Sequence, residues 1–360
     1  MKERIATLDF ARTIAALIIV NYHYVHFSFE HTYGFVNFDR EDLPLFEYIS
    51  FIYDYGAQSV QFFFVLSGFI FFYIYFEKIR NKTVSFRIFF IRRFSRLYPL
   101  HLLTLLGVAF LQKVYSIFFS YEQYIYSQQN LKHFILNLFL ATNWGFFSEG
   151  FSYNGPVWSI SIEEFAYIVF FVFAIFSRYF LKNIKFIYTS LCFVISFIWF
   201  LSLSPPSSFY GLAQGISCFF IGGLMCQIFE SNNRKINLLL FSLYIWVVYF
   251  YFPSFFITYA IFPILILLFS YLDKYFNKYV SKLGVFNDLS YTLYLIHFPI
   301  QLTITIIDKK MGNIINFTNP QFFFCYILIC LGTSYIIFKY YEQPSKIFIR
   351  DRWENTKIRS

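Results

Sequence analysis

The sequence has few charged residues, which sets it apart from soluble proteins. Only 14% of its 360 residues are charged, whereas 58% are hydrophobic. Soluble domains carry about 25% charged residues, so the composition argues against a soluble globular protein and places the chain in a membrane.

Cysteine is scarce, and its spacing gives no sign of a metal site or a disulfide framework. The five cysteines lie within apolar segments, at positions 192, 218, 226, 325 and 330. Because their spacing is not that of metal ligands, we expect no metal and no fold held together by disulfides. A cleavable signal peptide is not indicated either, because no small-residue cleavage site follows the first apolar run. That run should remain as the first membrane span.

The chain also lacks the features that divide a protein into domains. No Pro- or Ser-rich linker and no internal repeat interrupts it. We therefore expect one integral-membrane domain over residues 1–345 and a short basic cytoplasmic tail over residues 346–360. The formal net charge is +9, but the basic residues form short clusters between apolar runs. This pattern is typical of membrane topology, so we expect no nucleic-acid partner.

The apolar runs predict an all-α polytopic membrane protein with about ten transmembrane helices. The runs are residues 7–28, 56–77, 97–119, 158–178, 186–203, 210–229, 237–252, 254–272, 286–307 and 321–341. A further stretch, residues 131–147, would be only about 25 Å long as a helix and contains Asn137 and Asn143. Treating it as re-entrant or interfacial places 23 of the 29 Lys and Arg residues on the side of the N-terminus. Both termini are therefore predicted to be cytoplasmic.

Two polar residues stand out in the first apolar run. Arg12 and His23 are eleven positions apart, which on a helix is about three turns plus 20° and a rise of about 16 Å. They should share one face without touching, with Arg12 near the cytoplasmic leaflet and His23 near the outer one. A charged residue within a span usually marks a polar partner or a pathway. Arg12 could hold an anion and His23 could act as base or nucleophile; the alternative is a snorkelling arginine and an interfacial histidine.

Six stretches of the chain resemble, in order, the motifs of the integral-membrane acyltransferase-3 family. The first pairs Leu-Asp-Phe-Ala-Arg with the Asn-Tyr-His that ends at His23. A Trp-Ser-x-Ser-x-Glu-Glu block and a Ser-Tyr-x-x-Tyr-x-x-His-x-Pro block are the most distinctive of the others. The six stretches are residues 8–12 with 21–23, 56 with 62–69, 92–99, 158–164, 290–299 and 341–344. Phe10 and Thr13 replace the usual glycines, and Ala166 stands where a Phe is common. The C-terminal esterase-like domain of some members is not expected here.

The resemblance implies roles for residues in these stretches. We predict that His23, Arg12 and Glu163 are catalytic, with the Glu163 carboxylate at the depth of His23, where it could orient the imidazole. Arg92, Arg93 and Arg96, on a cytoplasmic loop or helix start, would bind the phosphates of coenzyme A. Basic residues that only mark the cytoplasmic side of the membrane would give the same pattern.

Five further residues are predicted to contact the acceptor: Trp158, Ser159, Glu164, Tyr294 and His297. Four of them also have a structural explanation. Ser159 and Glu164 could belong to a helix start, Trp158 could be an interfacial anchor, and His297 could be a buried histidine satisfied by a nearby hydroxyl.

The resemblance implies a membrane O-acyltransferase of the bacterial inner membrane. It would move an acetyl group from cytoplasmic acetyl-CoA to a hydroxyl of an extracytoplasmic carbohydrate, such as an O-antigen, capsule or exopolysaccharide. Its expected partners are acetyl-CoA, the carbohydrate acceptor and the lipid bilayer. Direct transfer and an acyl-histidine intermediate both remain open. The competing hypothesis is a transporter or flippase whose Arg12 and His23 line an anion or proton path, although the inverted repeat of such proteins is missing.

Overall fold

The computed structural model describes residues 4–31, 34–35, 39–120, 123–145, 150–179, 185–205, 207–231 and 234–354. Apart from one short hairpin, the regular structure in these ranges is helical, as the apolar runs predict. The α-helices are α1 (Ala6–Tyr22), α2 (Phe46–Tyr55), α3 (Ser59–Phe71), α4 (Glu77–Arg80), α5 (Phe86–Phe119), α6 (Leu131–Leu138), α7 (Val157–Phe176), α8 (Lys185–Leu201), α9 (Tyr210–Glu230), α10 (Arg234–Tyr251), α11 (Phe262–Val280), α12 (Ser290–Lys310), α13 (Pro320–Ile337) and α14 (Gln343–Glu354).

Short turns of tighter or wider helix extend several of these elements. The 3-10 turns are His23–Ser28, Arg40–Asp42, Gly56–Gln58, Ser177–Tyr179, Pro253–Phe255 and Ser281–Asp288. The π-helical turns are Phe72–Phe76, Ile257–Ile261 and Phe338–Glu342. After the first 3-10 turn, strand β1 (Phe29–His31) pairs antiparallel with strand β2 (Gly34–Phe35). α1 thus ends at Tyr22, and His23 begins the first 3-10 turn. The strand pair follows that turn.

Six segments of the described residues are long and apolar enough to cross a membrane. They are Phe46–Arg80, Phe86–Phe119, Val157–Tyr179, Tyr210–Glu230, Ile257–Lys310 and Pro320–Trp353. Each of the ten predicted runs overlaps a helix, but α1 and α8 are only 17 residues long. The multi-pass architecture is therefore supported, whereas the count of about ten spans is not confirmed.

The segment predicted to be re-entrant or interfacial contains a single short helix. α6 has eight residues, about 12 Å of helix, which is too short to cross a bilayer. After α6 the chain bends back onto α7, where Trp144 Nε1 donates to the Ser161 carbonyl at 2.9 Å and Asn143 N donates to Ser161 Oγ at 3.0 Å. Residues 146 and 147, the last two of the predicted segment, lie outside the described ranges.

The centre of the molecule is the contact between α3 and α9, where two glycines bring backbones together. A Cβ atom on Gly68 would lie 1.8 Å from the Phe219 carbonyl oxygen, and one on Gly222 would lie 1.9 Å from the Val65 carbonyl oxygen. Small residues permit such close approach, which drives helix association where lipid removes most of the hydrophobic driving force. This fixed pair of helices supports α7, which contacts both.

The C-terminal part of the described chain is helical. The predicted basic tail starts inside α14, and α14 packs along α5 rather than extending away from it. α14 therefore lies beside the helix that carries the predicted coenzyme A arginines.

Candidate active site

Two histidines from distant parts of the chain meet at the centre of the site. His297 Nε2 lies 3.0 Å from His23 Nδ1, and the two rings stack with centroids 4.9 Å apart and planes 15° from parallel. His23 is the first residue after α1, and His297 is on α12, which packs against α1. The sequence placed both histidines in the site but did not predict that they form a pair.

The hydrogen-bond partners of the two rings determine which ring nitrogens carry a hydrogen. His297 Nδ1 faces the Leu293 carbonyl oxygen at 3.3 Å, and a carbonyl can only accept, so Nδ1 carries the hydrogen. In a neutral ring His297 Nε2 is then an acceptor, and His23 Nδ1 must donate to it. Nε2 of His23 is left as the unprotonated nitrogen that a base or nucleophile needs.

One glutamine joins the 3-10 turn His23–Ser28 to α12 through two hydrogen bonds. Gln301 Nε2 donates to the His23 carbonyl at 2.7 Å, and Gln301 Oε1 lies 3.3 Å from His26 Nδ1. Gln301 is fully buried and lies one helical turn after His297. Tyr124 adds a bond of 2.6 Å from its hydroxyl to the His26 carbonyl. The 3-10 turn that begins at His23 is therefore held at two of its carbonyls, those of His23 and His26.

His23 opens into a cavity of about 440 Å³, here called the histidine cavity. Its wall is mostly aromatic, and its lining includes Tyr22, Tyr53, Tyr126, Phe151 and Trp158. Arg40 also lines it and is paired with Asp54 at 2.6 Å. Aromatic faces with a few polar groups suit a ligand that has both an apolar face and hydroxyls, as a sugar has.

A second, smaller cavity of about 70 Å³ is lined by three of the four predicted arginines and is here called the arginine cavity. Its lining includes Arg12, Arg93, Arg96, Ser159, Glu163 and Tyr294. Arg12 makes one long contact, 3.4 Å to Asp9. Arg96 forms no hydrogen bond or ion pair with any part of the chain that the structure describes. Two guanidinium groups with unused donors make this cavity suitable for an anion.

Glu163 lies in the arginine cavity, not beside His23, and this corrects the expected pairing. Its Oε1 accepts hydrogen bonds from the hydroxyls of Ser67 and Tyr167, and its charge acts on Arg12. The side chain that hydrogen-bonds to His23 Nδ1 is instead that of His297. Trp158 lines the histidine cavity and Glu163, five residues later, lines the arginine cavity, so the start of α7 passes from one cavity to the other.

The three predicted coenzyme A arginines differ in their surroundings, and they lie inside α5 rather than on a loop. Arg93 is enclosed by aromatic rings, with its guanidinium carbon 4.8 Å from the Phe71 centroid and 5.2 Å from that of Tyr75. Its Nη2 also donates to the Tyr75 hydroxyl at 3.0 Å. Arg92 is not among the residues that line the arginine cavity. Arg96 is thus the member of the three best placed to meet a ligand.

The remaining predicted residues separate into two groups. Ser159 Oγ and the Tyr294 hydroxyl are 2.8 Å apart, and both residues line the arginine cavity, with the Tyr294 ring 6.1 Å from that of His297. Glu164 lines neither cavity, and its buried Oε1 has no hydrogen-bond partner among the described residues. Within the same residues, no cluster of three or more His, Cys, Asp or Glu side chains is arranged to hold a metal ion.

A family model described as an acyltransferase domain matches residues 5–339, nearly the whole chain. The chain belongs to the acyltransferase-3 family. Family membership together with the apolar helices makes it a membrane acyltransferase. No curated protein and no solved structure matches it. The acyltransferase-3 chemistry therefore has to be argued from the residues of this chain.

Sequence reasoning missed several residues of this acyltransferase-3 site. Gln301 could have been found as a polar residue four positions after His297 in an otherwise apolar helix. Ser67 lies in one of the matched stretches but had no role assigned, and Tyr167 falls one turn after Glu163. Asn154 gives no signal in the sequence, because it lies in an irregular segment before α7.

Proposed function

We propose that the protein transfers an acetyl group from cytoplasmic acetyl-CoA to a hydroxyl of a carbohydrate on the outer side of a bacterial inner membrane. The observation that carries the proposal is the hydrogen bond between His23, on the wall of the histidine cavity, and the buried His297, with a cationic cavity close by. Both termini would be cytoplasmic, and the carbohydrate would belong to a surface polysaccharide.

The arginine cavity is the proposed end for the donor. Coenzyme A carries several negative phosphates, and the unused donors of Arg12 and Arg96 match anionic groups at this end of the molecule. The cavity itself, at about 70 Å³, is far too small for the whole donor. The bulk of coenzyme A would then lie outside the cavity, on the side of α5 and α14.

The histidine cavity is the proposed site for the acceptor. Its volume of about 440 Å³ is large enough for sugar rings, and its aromatic residues offer faces for stacking. His23 Nε2, unprotonated in the assigned arrangement, would take the proton of the acceptor hydroxyl. His297 would keep His23 in that tautomer and stabilise the positive charge that the ring gains.

The atoms of the reaction balance without a further reactant. The acceptor oxygen bonds to the acyl carbon, the carbon–sulfur bond of the thioester breaks, and the hydroxyl proton passes through His23 to the sulfur of coenzyme A. In the alternative route His23 Nε2 itself bonds to the acyl carbon first, and the carbon–sulfur bond breaks to release the coenzyme A thiolate. The acceptor oxygen then bonds to the acyl carbon as the bond to Nε2 breaks, and the hydroxyl proton ends on the coenzyme A sulfur. An acylated His23 trapped on the protein would favour the second route.

The test uses purified protein in detergent, radiolabelled acetyl-CoA and crude surface polysaccharide. We expect label in the glycan with the wild type and none above background with His23→Ala. The matched control is His101→Ala, since His101 is a buried histidine on α5 that lines neither cavity. Equal label with wild type and His23→Ala would refute the role of His23. A transporter, the competing hypothesis, would release no coenzyme A from acetyl-CoA.

A further inference from the structure

A proline in α12 leaves a backbone carbonyl without its helical partner close to the histidine pair. Pro299 has no N–H, so it cannot donate to the Leu295 carbonyl four residues earlier, as a helix requires. The Leu295 carbonyl lies within the buried part of α12. An orphaned polar group in such a place needs a substitute donor.

Asn154 supplies that donor. Its Nδ2 donates to the Leu295 carbonyl oxygen at 2.9 Å, and the Asn154 residue is 1% exposed. Asn154 lies in the irregular segment that leads into α7, so this bond joins two distant parts of the chain across the site. The amide replaces the hydrogen bond that Pro299 removes.

Two further hydrogen bonds join the same two segments. The Tyr294 hydroxyl donates to the Pro156 carbonyl at 2.8 Å and lies 2.8 Å from Ser159 Oγ. Residues 154–159 and residues 294–295 therefore form a polar seam, defined by these bonds, that reaches the arginine cavity at Ser159 and Tyr294. His297 follows the seam by two residues on the same helix.

We propose that Asn154 is a positioning residue that holds the proline-interrupted part of α12 so that His297 Nε2 stays on His23 Nδ1. The inference rests on the proposed function, in which the histidine pair is reactive. A helix that lacks one internal bond can bend at that point, and the 3.0 Å contact between the rings tolerates little displacement. The seam limits this bending from outside the helix.

The chemistry of the bond provides an internal test. Asn154→Asp has nearly the same shape but offers an anionic acceptor to a carbonyl, so it cannot replace the bond. Pro299→Ala restores an N–H that can donate to the Leu295 carbonyl within α12. If Asn154 acts by replacing the proline's missing bond, the second change should compensate for loss of the first.

The experiment is a double-mutant cycle on the full-length protein in detergent, measuring kcat, KM for acetyl-CoA and the midpoint of thermal unfolding. We expect Asn154→Ala and Asn154→Asp to lower kcat by about 10- to 100-fold while KM changes less than about threefold, as for groups that orient a reactive ligand. In the Pro299→Ala background, Asn154→Ala should lower kcat by less than about threefold, because neighbouring changes are not additive.

A matched control separates positioning from general stability. Asn287 is also a buried asparagine whose Nδ2 donates to a carbonyl at 2.9 Å, that of Val280, but it lines neither cavity. Asn287→Ala should lower the unfolding midpoint and leave kcat within about twofold of wild type. An equal loss of kcat in Asn287→Ala would overturn the proposal.

The other outcomes are also decisive. If Asn154→Ala lowers kcat by the same factor with and without Pro299→Ala, the proposed compensation is absent and the inference fails, even if His23→Ala is inactive. If Asn154→Ala alone does not fold, the Asn154→Ala/Pro299→Ala variant must fold and be active, and its failure would overturn the inference. Full activity of His23→Ala would instead refute the proposed function.

Discussion

At the scale of single residues, the site depends on the tautomer of one imidazole. His23 Nδ1 donates its hydrogen to His297 Nε2, because the Leu293 carbonyl holds the hydrogen of His297 on Nδ1. This is the same logic as that of metal-bound or catalytic histidines whose second nitrogen is held by a neighbour. The role of His297 in the proposal is therefore to orient and stabilise His23 rather than to contact the acceptor.

The first prediction concerns this role. His297→Ala should lower kcat by about 10- to 100-fold, because His23 loses the partner that fixes its tautomer, while KM for acetyl-CoA stays within about threefold. Steady-state rates over a series of acetyl-CoA concentrations would check it. The control is His101→Ala, which removes a buried histidine bonded to the Asn137 carbonyl at 2.7 Å. A kcat for His297→Ala equal to that of the control would contradict the prediction.

The second prediction distinguishes two neighbouring arginines. Arg96 lines the arginine cavity and Arg92 does not, although the sequence assigned both to coenzyme A. Arg96→Ala should raise KM for acetyl-CoA by roughly 10- to 150-fold, the range expected for loss of a hydrogen bond to a charged group. Arg92→Ala should raise it by less than about threefold. Equal increases for the two variants would place the donor outside the arginine cavity.

The position of Glu163 in the site was not predicted from the sequence. The limits of α7 agree with the predicted run at residues 158–178, so hydropathy located the helix well. Glu163 was expected beside His23, but the two residues line different cavities. Hydropathy does not determine how far one helix is displaced along another. Much of the histidine cavity is formed by described residues of the connections between α1 and α3 and between α5 and α7, and their packing leaves no periodic signal in the sequence.

At the scale of secondary-structure elements, the α3–α9 contact carries the scaffold. The glycine of the stretch at residues 62–69 matched the family but had no role that the sequence could reveal. The structure gives it one: Gly68 faces the Phe219 carbonyl so closely that no side chain fits. Close packing of this kind depends on two helices at once, and a single sequence shows each only separately.

The third prediction follows from this contact. Gly68→Ala should destabilise the protein by about 1–3 kcal/mol, since the added methyl group would meet backbone that cannot turn away. The matched control is Gly107→Ala on α5, where a Cβ meets nothing within 4 Å. That change should be neutral or slightly stabilising, because alanine favours helix more than glycine does. Thermal unfolding in detergent would compare them, and similar midpoints would contradict the prediction.

At the scale of the whole molecule, the two cavities agree with the topology predicted from charge. The loops predicted to be outside include those that supply Arg40, Tyr53, Tyr126 and Phe151 to the histidine cavity. The arginine cavity instead takes residues from the parts of α1 and α5 predicted to lie towards the cytoplasm. This agreement matters because the proposed reaction needs a donor on one side and an acceptor on the other.

The last prediction tests that orientation directly. In a variant without native cysteines, Asn313→Cys in the exposed turn after α12 should react in intact cells with a maleimide that cannot cross the membrane. Lys82→Cys, in the exposed turn between α4 and α5, should react only after the membrane is permeabilised. The two positions are matched, since both are exposed turn residues with positive φ. The opposite labelling pattern would put the arginine cavity on the outer side, where acetyl-CoA is absent, and so would contradict the proposed direction of transfer. Labelling of both residues in intact cells would show instead that the two turns share one side, which requires a different number of crossings between them.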